Sequence, residues 1–315
     1  MTETHIMQKL REQADKDGAL CVGLDTSPSY IPEYIIKTIG SQTEAVLTYN
    51  LEIIRRIASS KSACCCKIQI AYYEAMGLEG LKIYSQTLKA VKEAGLIAIS
   101  DIKRGDIADT ATAYAKAHFS GDFETDIITV NPYMGFDTLQ PFYEYSMPQR
   151  GGKGLFVLLR TSNPGMKDIE QQELKSGGRV LDKTANALNS IAERFSQIYP
   201  NAECSPVGAV VGCTEESDAK LLREACPNIF FLIPGYGAQG GSARIAGTLL
   251  AKAGGVVNSS RGILCAWQKD NDLREKREAG CLCMSDIADS AAKAALIAKE
   301  DLSSAQSIIQ QSQRS

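Results

Sequence analysis

The chain has 315 residues, 44% hydrophobic and 23% charged, a length that suits two average domains or one large α/β barrel, with enough apolar material for a core without a disulfide or metal staple. A formal net charge of −3 provides no general basic field for nucleic acid, so any anion the protein binds must be held by a local site. Ten cysteines stand beside only two histidines, His5 and His118, which argues against zinc; the run Cys64, Cys65, Cys66 reads as reduced thiols filling a core in a cytoplasmic protein.

The opening stretch, MTETHIMQKLREQADKDG, is acidic early and has no apolar h-region, so it does not read as a signal peptide. No apolar run approaches the roughly 20 residues of a membrane span, and the expectation is a soluble protein with no membrane partner. In chain order, apolar or β-branched runs occur at 19–25 (ALCVGLD), 63–70 (ACCCKIQI), 96–102 (LIAISDI) and 125–130 (TDIITV). They continue at 154–160 (GLFVLLR), 206–211 (PVGAVV), 229–233 (IFFLI) and 255–259 (GVVNS). Segments with 3.6-residue periodicity lie between them, at 44–59, 78–94, 107–118, 181–198 and 215–225, and a last one covers 285–299. Strands that are apolar almost throughout, each followed by a helix, imply a parallel sheet buried on both faces. A doubly wound sheet would also fit eight strands, but count and spacing favour a closed (β/α)8 TIM barrel. No linker divides the chain: 1–300 reads as one barrel domain and 301–315, rich in Ser and Gln, as a polar tail or linker.

In such a barrel, chemistry gathers where strands end. Polar residues do interrupt the apolar runs there: Asp25, Lys67, Asp101 and Lys103, Asn131, Thr161 with Ser162, Gln239, and Arg261. The sharpest signal is SDIKRGDIADTATAY. Asp101 and Lys103 are two apart and would share a face of an extended strand, and Asp106 follows at the turn, with Ile107 and Thr110 near the start of the next helix. Taken alone, D-x-K-x-x-D is as well explained by salt bridges tying strand to helix. A second lysine, Lys67, ends the preceding strand and is expected to reach Asp101, since long charged side chains rarely enter a barrel interior unpaired. An alternating lysine–aspartate array is hard to explain as packing. After the seventh strand comes IPGYGAQGGS and after the eighth NSSRGIL, a Gly-rich loop beside an arginine fork suited to phosphate.

With these stretches in view, the chain resembles orotidine 5′-phosphate decarboxylases, in particular a longer subgroup of bacteria and some protists. VGLDTSP at 22–28, CKIQIAYYEAMG at 66–77, DIKRGDIADTATAYA at 101–115, VNPYMGFDTLQPF at 130–142, LLRTSNPG at 158–165, VGAVVGCT at 207–214, IPGYGAQGG at 233–241 and NSSRGIL at 258–264 carry the resemblance, which covers roughly 15 to 300. It implies decarboxylation of orotidine 5′-phosphate to UMP without a cofactor or metal, in de novo pyrimidine synthesis. Lys67, Asp101, Lys103 and Asp106 match the family's charged tetrad, with Lys103 as proton donor. The resemblance implies a homodimer, in which Asp106, Ile107 and Thr110 enter the partner's site. It further implies that Asp25 and Lys67 meet the ribose, that Ser162 reads the pyrimidine with Asn131 nearby, and that Gln239, Arg261 and the backbone of Ser260 grip the phosphate. Tyr236 has no firm role. Some members are fused to an orotate phosphoribosyltransferase, but no acidic, Thr/Gly-rich PRPP loop occurs here. Two rivals are a Mg²⁺-dependent sugar-phosphate decarboxylase or aldolase of the same superfamily, which needs a second carboxylate where Lys67 stands, and a non-catalytic nucleotide-binding barrel, which should have lost the tetrad.

Overall fold

In the computed structural model, which describes residues 4–237 and 240–314, eight parallel strands close into a barrel in sequence order. They are β1 (Leu20–Gly23), β2 (Cys65–Gln69), β3 (Ile97–Arg104), β4 (Ile127–Val130), β5 (Gly154–Arg160), β6 (Val207–Val211), β7 (Phe231–Ile233) and β8 (Gly255–Ser259). Each expected apolar run supplies one strand. Closure is made by β1 against β8, with Cys21 opposite Asn258 and Val22 opposite Ser259.

Both faces of the strands are buried, and alternation divides their side chains between two cores. The outward set, including Val22, Ile68, Ile128 and Val157, packs under the surrounding helices. The inward set, including Cys21, Cys65, Ile99, Phe156, Val210 and Leu232, fills the barrel itself. Met7, Leu10 and Ala14 of the helix Ile6–Asp17 join that inner cluster, so the N-terminal helix contributes to the barrel's filling. Each such Leu, Ile or Phe contributes roughly 1.5–3 kcal/mol by leaving water. His5 caps this helix: its Nδ1 accepts from Gln8 N–H and its Nε2 lies 3.0 Å from the Cys204 carbonyl. The cysteine run is core, as its apolar setting implied, with Cys64, Cys65 and Cys66 all fully buried, and burial pushes the Cys65 and Cys66 thiols well up.

Two features depart from the sequence reading. The last helix does not stop near 299 but runs from Met284 to Arg314. Leu302 within it is 1% exposed, so the stretch from 301 begins as barrel packing rather than as a free polar tail. Ser and Gln on its outer face hide the apolar anchor without breaking the helix. β3 also departs from regular extension: its pairing with β4 shifts register between Ser100 and Arg104, and Lys103 sits at φ 45°. Asp101 and Lys103 therefore share the barrel mouth through a bulge, not through simple strand alternation.

Candidate active site

At the C-terminal rim lies a cavity of about 570 Å³ into which all eight strand ends contribute side chains. Its floor is a chain of alternating charges. Lys67 Nζ lies 2.8 Å from Asp25 Oδ1 and 3.1 Å from Asp101 Oδ2, and Lys103 Nζ lies 2.7 Å from Asp101 Oδ1. Ser260 Oγ donates to Asp25 Oδ2 at 2.8 Å, which ties β1 to the end of β8. That approach requires Gly23, because a Cβ there would stand 2.0 Å from Ser260 Oγ.

The environments of the charges differ. The Lys67 side chain is 5% exposed. Burial alone would lower its pKa, yet the carboxylates of Asp25 and Asp101 outweigh that and raise it, so Lys67 stays a cation. Burial would raise Asp101, but Lys67, Lys103 and the Thr129 hydroxyl hold its carboxyl down at about 2. Lys103, whose side chain is 45% exposed, is the member open to a ligand.

Thr129 is a site residue that sequence reasoning missed. Its buried hydroxyl accepts from the N–H groups of Ile102 and Lys103, at 2.9 Å each, and donates to Asp101 Oδ1 at 2.8 Å. One side chain thus fixes both the bulge and the carboxylate. A threonine inside TDIITV looks like any β-branched strand residue, so no local signal separates it from packing. Tyr30, Tyr72, Asn163 and Asn258, which also line the cavity, were not anticipated either.

Other expected residues fall in three groups. Asp25, Ser162, Ser260 and Arg261 line the cavity with Lys67, Asp101 and Lys103. The loop carrying Ser162 is held by Glu170, which accepts from Thr161 N–H at 2.9 Å and from its hydroxyl at 2.7 Å. Arg261 is exposed and forms no ion pair with a carboxylate among the described residues, leaving its fork free for an anion. Ser260 reaches the site by its hydroxyl, on Asp25, where a backbone contact to phosphate was expected.

The second group lies away from the cavity. Asp106 makes no ion pair within the described chain; its carboxylate accepts from Ile107 N–H at 2.8 Å. Ile107 is 56% exposed and Thr110 is exposed on the helix Ala108–Phe119, so the fourth tetrad charge does not join the array in its own chain. Two non-glycine residues at positive φ, Lys103 at 45° and Ala108 at 46°, bracket this turn, and such strain persists where a site demands a particular backbone. Asn131 is corrected: its Oδ1 accepts from Tyr133 N–H at 3.0 Å, an Asx turn ahead of the loop, and it does not line the cavity. The third group is Gln239 alone, which lies outside the described residues.

Among the described residues no group of three or more His, Cys, Asp or Glu side chains is placed to hold a metal ion, and no helix is long and apolar enough to cross a membrane. A closed parallel barrel with a lysine–aspartate chain across the ends of β1, β2 and β3, and after β8 an arginine that pairs with no carboxylate among the described residues, defines a (β/α)8 enzyme for small anionic substrates.

Comparison with known proteins makes the class specific. A family model described as orotidine 5′-phosphate decarboxylase / HUMPS family matches residues 18–275. An orotidine 5′-phosphate decarboxylase of Clostridium tetani is 50% identical over 277 residues, covering 88% of this chain and 93% of that protein. One from Clostridium novyi is 49% identical, covering 84% and 90%. Among solved structures, Leishmania donovani OMP decarboxylase superposes with a TM-score of 0.61 at 28% identity, covering 90% of this chain and 98% of that one. Leishmania donovani UMP synthase gives 0.64 at 30% identity, but the match covers 89% of this chain and only 56% of that longer one. The chain belongs to the orotidine 5′-phosphate decarboxylase / HUMPS family.

Proposed function

We propose that this protein decarboxylates orotidine 5′-phosphate to UMP in pyrimidine biosynthesis, with Lys103 as the group that meets the reacting carbon. The observation that carries the reading is the Asp25–Lys67–Asp101–Lys103 chain, in which a half-exposed ammonium is aimed by a carboxylate held ionised at about 2. Relatives of about half identity, named for this activity, support it.

Departure of CO₂ breaks the bond to C6 of the pyrimidine and leaves the electron pair on that carbon. Lys103 N–H⁺ opposite C6 stabilises the developing charge and then gives its proton to C6, completing UMP; the neutral amine regains a proton from water. At about 4 Å and an effective dielectric near 20, one such contact is worth on the order of 4 kcal/mol, or about three decades of rate. Asp101 and Lys67 keep the ammonium charged and oriented. Arg261, with Gln239 and the Gly-rich loop, takes the phosphate, so that binding far from C6 supports the chemistry at C6. Ser162 reads the pyrimidine edge, and Asp25 with Lys67 meets the ribose.

We further infer a homodimer. Leu78 is 84% exposed, Tyr133 77%, Ile107 56% and Met134 51%, all on loops or helix starts following β2, β3 and β4. Ile107 directly follows Asp106 and precedes Thr110, and burial of these apolar side chains against a second copy would carry Asp106 toward the partner's Lys103, which in one chain has a single carboxylate neighbour.

The Mg²⁺-dependent alternative is disfavoured by Lys67, whose ammonium already lies between the two carboxylates a cation would bridge. The deciding experiment is the loss of orotidine 5′-phosphate absorbance with purified protein in excess EDTA. Turnover undiminished by chelator is expected; no turnover, or turnover that requires added Mg²⁺, overturns the reading.

A further inference from the structure

The C-terminal helix reaches the loop that follows β7. Tyr236 stands on the first limb of that loop and lines the cavity, yet its hydroxyl points outward and donates to Asp301 Oδ2 at 2.6 Å. Leu302, the next residue on the helix, is 1% exposed and seats it against the barrel. The second limb leads into the helix Ala243–Leu249, whose start is capped by Ser242 Oγ accepting from Ile245 N–H. This helix is pressed onto the same stretch: a Cβ at Gly247 would meet the Ala305 carbonyl at 3.2 Å. The two limbs are laced together by Gly237 N–H to the Gly241 carbonyl and Gly241 N–H to the Gly235 carbonyl, each 3.0 Å. Gly241 has no room for a side chain, because its Cβ would stand 2.5 Å from Cys213 Sγ.

Thus residues 301–305 hold the first limb of a glycine-rich loop at the cavity's edge through Tyr236, and the helix into which its second limb leads through Gly247. Such a loop loses much backbone entropy when ordered, and an outside contact that holds one limb reduces what a ligand must supply. Burial first, and then the hydrogen bond and charge of Asp301, hold the Tyr236 phenol above its ordinary range, so it remains the proton donor in this hydrogen bond.

We infer that Tyr236 and Asp301 are positioning residues for the substrate's phosphate: their hydrogen bond latches the loop after β7 to the C-terminal helix, so that the phosphate meets a loop already set. This rests on the phosphate role proposed for that loop and assigns a purpose to the residues beyond 300.

The test is a double-mutant cycle of Tyr236→Phe and Asp301→Ala, read by turnover of orotidine 5′-phosphate and by binding of UMP and of uridine, with Tm as a folding control. Each single variant should lower kcat/KM and weaken UMP binding by about five- to tenfold, the scale of one charge-assisted hydrogen bond near solvent. Uridine, which lacks the phosphate, should bind within about twofold of wild type, the double variant should be no worse than either single, and Asp301→Asn, which keeps an acceptor oxygen, should recover most of the loss. Equal losses for UMP and uridine, additive losses in the double variant, or tighter UMP binding would overturn the latch. Variants that behave like an active wild type sink the latch alone; a wild type that neither turns over orotidine 5′-phosphate nor prefers UMP to uridine sinks it together with the reading beneath it.

Discussion

Lys103→Ala separates catalysis from stability more cleanly than any other change at this site. The Lys103 side chain is 45% exposed, and its one carboxylate neighbour, Asp101, keeps Lys67 at 3.1 Å and the Thr129 hydroxyl at 2.8 Å after the lysine is gone. No buried charge is orphaned, so the fold should lose no more than about 1 kcal/mol, or a few degrees of Tm at most. Catalysis loses the ammonium's field, about three decades, and the proton donor, roughly 10²–10⁴-fold by itself; the two overlap because one atom does both. Loss of orotidine 5′-phosphate absorbance should fall by at least about three decades in kcat/KM while UMP still binds. Lys103→Gly supplies the internal control. At φ 45° an Ala keeps the backbone strain that Gly relieves, on the order of 1–2 kcal/mol, partly offset by Gly's freer unfolded chain. The glycine variant should therefore be as inactive as Lys103→Ala and at least as stable. Residual turnover above about a hundredth of wild type would remove Lys103 from the role of donor, since loss of a positioned acid costs about 10² at minimum.

The remaining predictions concern its neighbours. Lys67→Met should cost about 3–5 kcal/mol in denaturant unfolding, because it leaves Asp25 and Asp101 facing each other without their shared cation; unchanged stability would mean the buried pair is not formed. Mixing inactive Asp106→Asn and Lys103→Ala chains should restore part of the activity through hybrid dimers, and a mixture no more active than its parts would sink the shared site. His5 and His118 are both buried, and burial lowers each to about 4. Between that value and 6.5 the unfolded chain holds protons the native chain does not, so their contribution is full above pH 6.5 and falls away toward pH 4, by up to ~3 kcal/mol each. Denaturant midpoints across that window should show the decline, and His118→Phe should make it markedly shallower; an unaltered slope would assign the acid sensitivity elsewhere.

How much of this was legible in the sequence depended on distance along the chain. Strands buried on both faces announce themselves as short apolar runs, which is why all eight appear where expected. The Lys67 contact with Asp101 was also readable, since adjacent parallel strands bring two strand-end charges together. The bulge at Lys103 was not, because it is held by the Thr129 hydroxyl, 26 residues away, and no local pattern encodes a positive φ at a lysine. Ser260 on Asp25 depends on closure of β8 against β1, 235 residues apart. Asn131 was misplaced because a polar residue after a strand serves a turn as readily as a ligand. The segment from 301 looked like a tail because Leu302 is one apolar anchor among Ser and Gln, residues whose polarity says nothing against a helix docked by one face.

The charge arrangement explains how one mouth can both bind an anion and expel a carboxylate. Asp25, Lys67, Asp101 and Lys103 alternate and sum to zero, so each has an opposite charge at hydrogen-bond distance that offsets part of the cost of burying the array. A neutral array, however, exerts little net pull on a nucleotide. That pull must come from the end of β8, where Arg261 has no carboxylate ion-pair partner among the described residues to neutralise it. On the proposed function, affinity and chemistry draw on different charges: the arginine, with the loop after β7, would hold the phosphate, and the strained lysine would face the carbon. Were Lys103 unpaired, it would bind the substrate carboxylate as an ordinary ion pair and stabilise the ground state as much as the transition state. Asp101, ionised at about 2 and 2.7 Å away, already occupies the ammonium on one side, so a carboxylate arriving there gains less than the carbanion left after CO₂ departs.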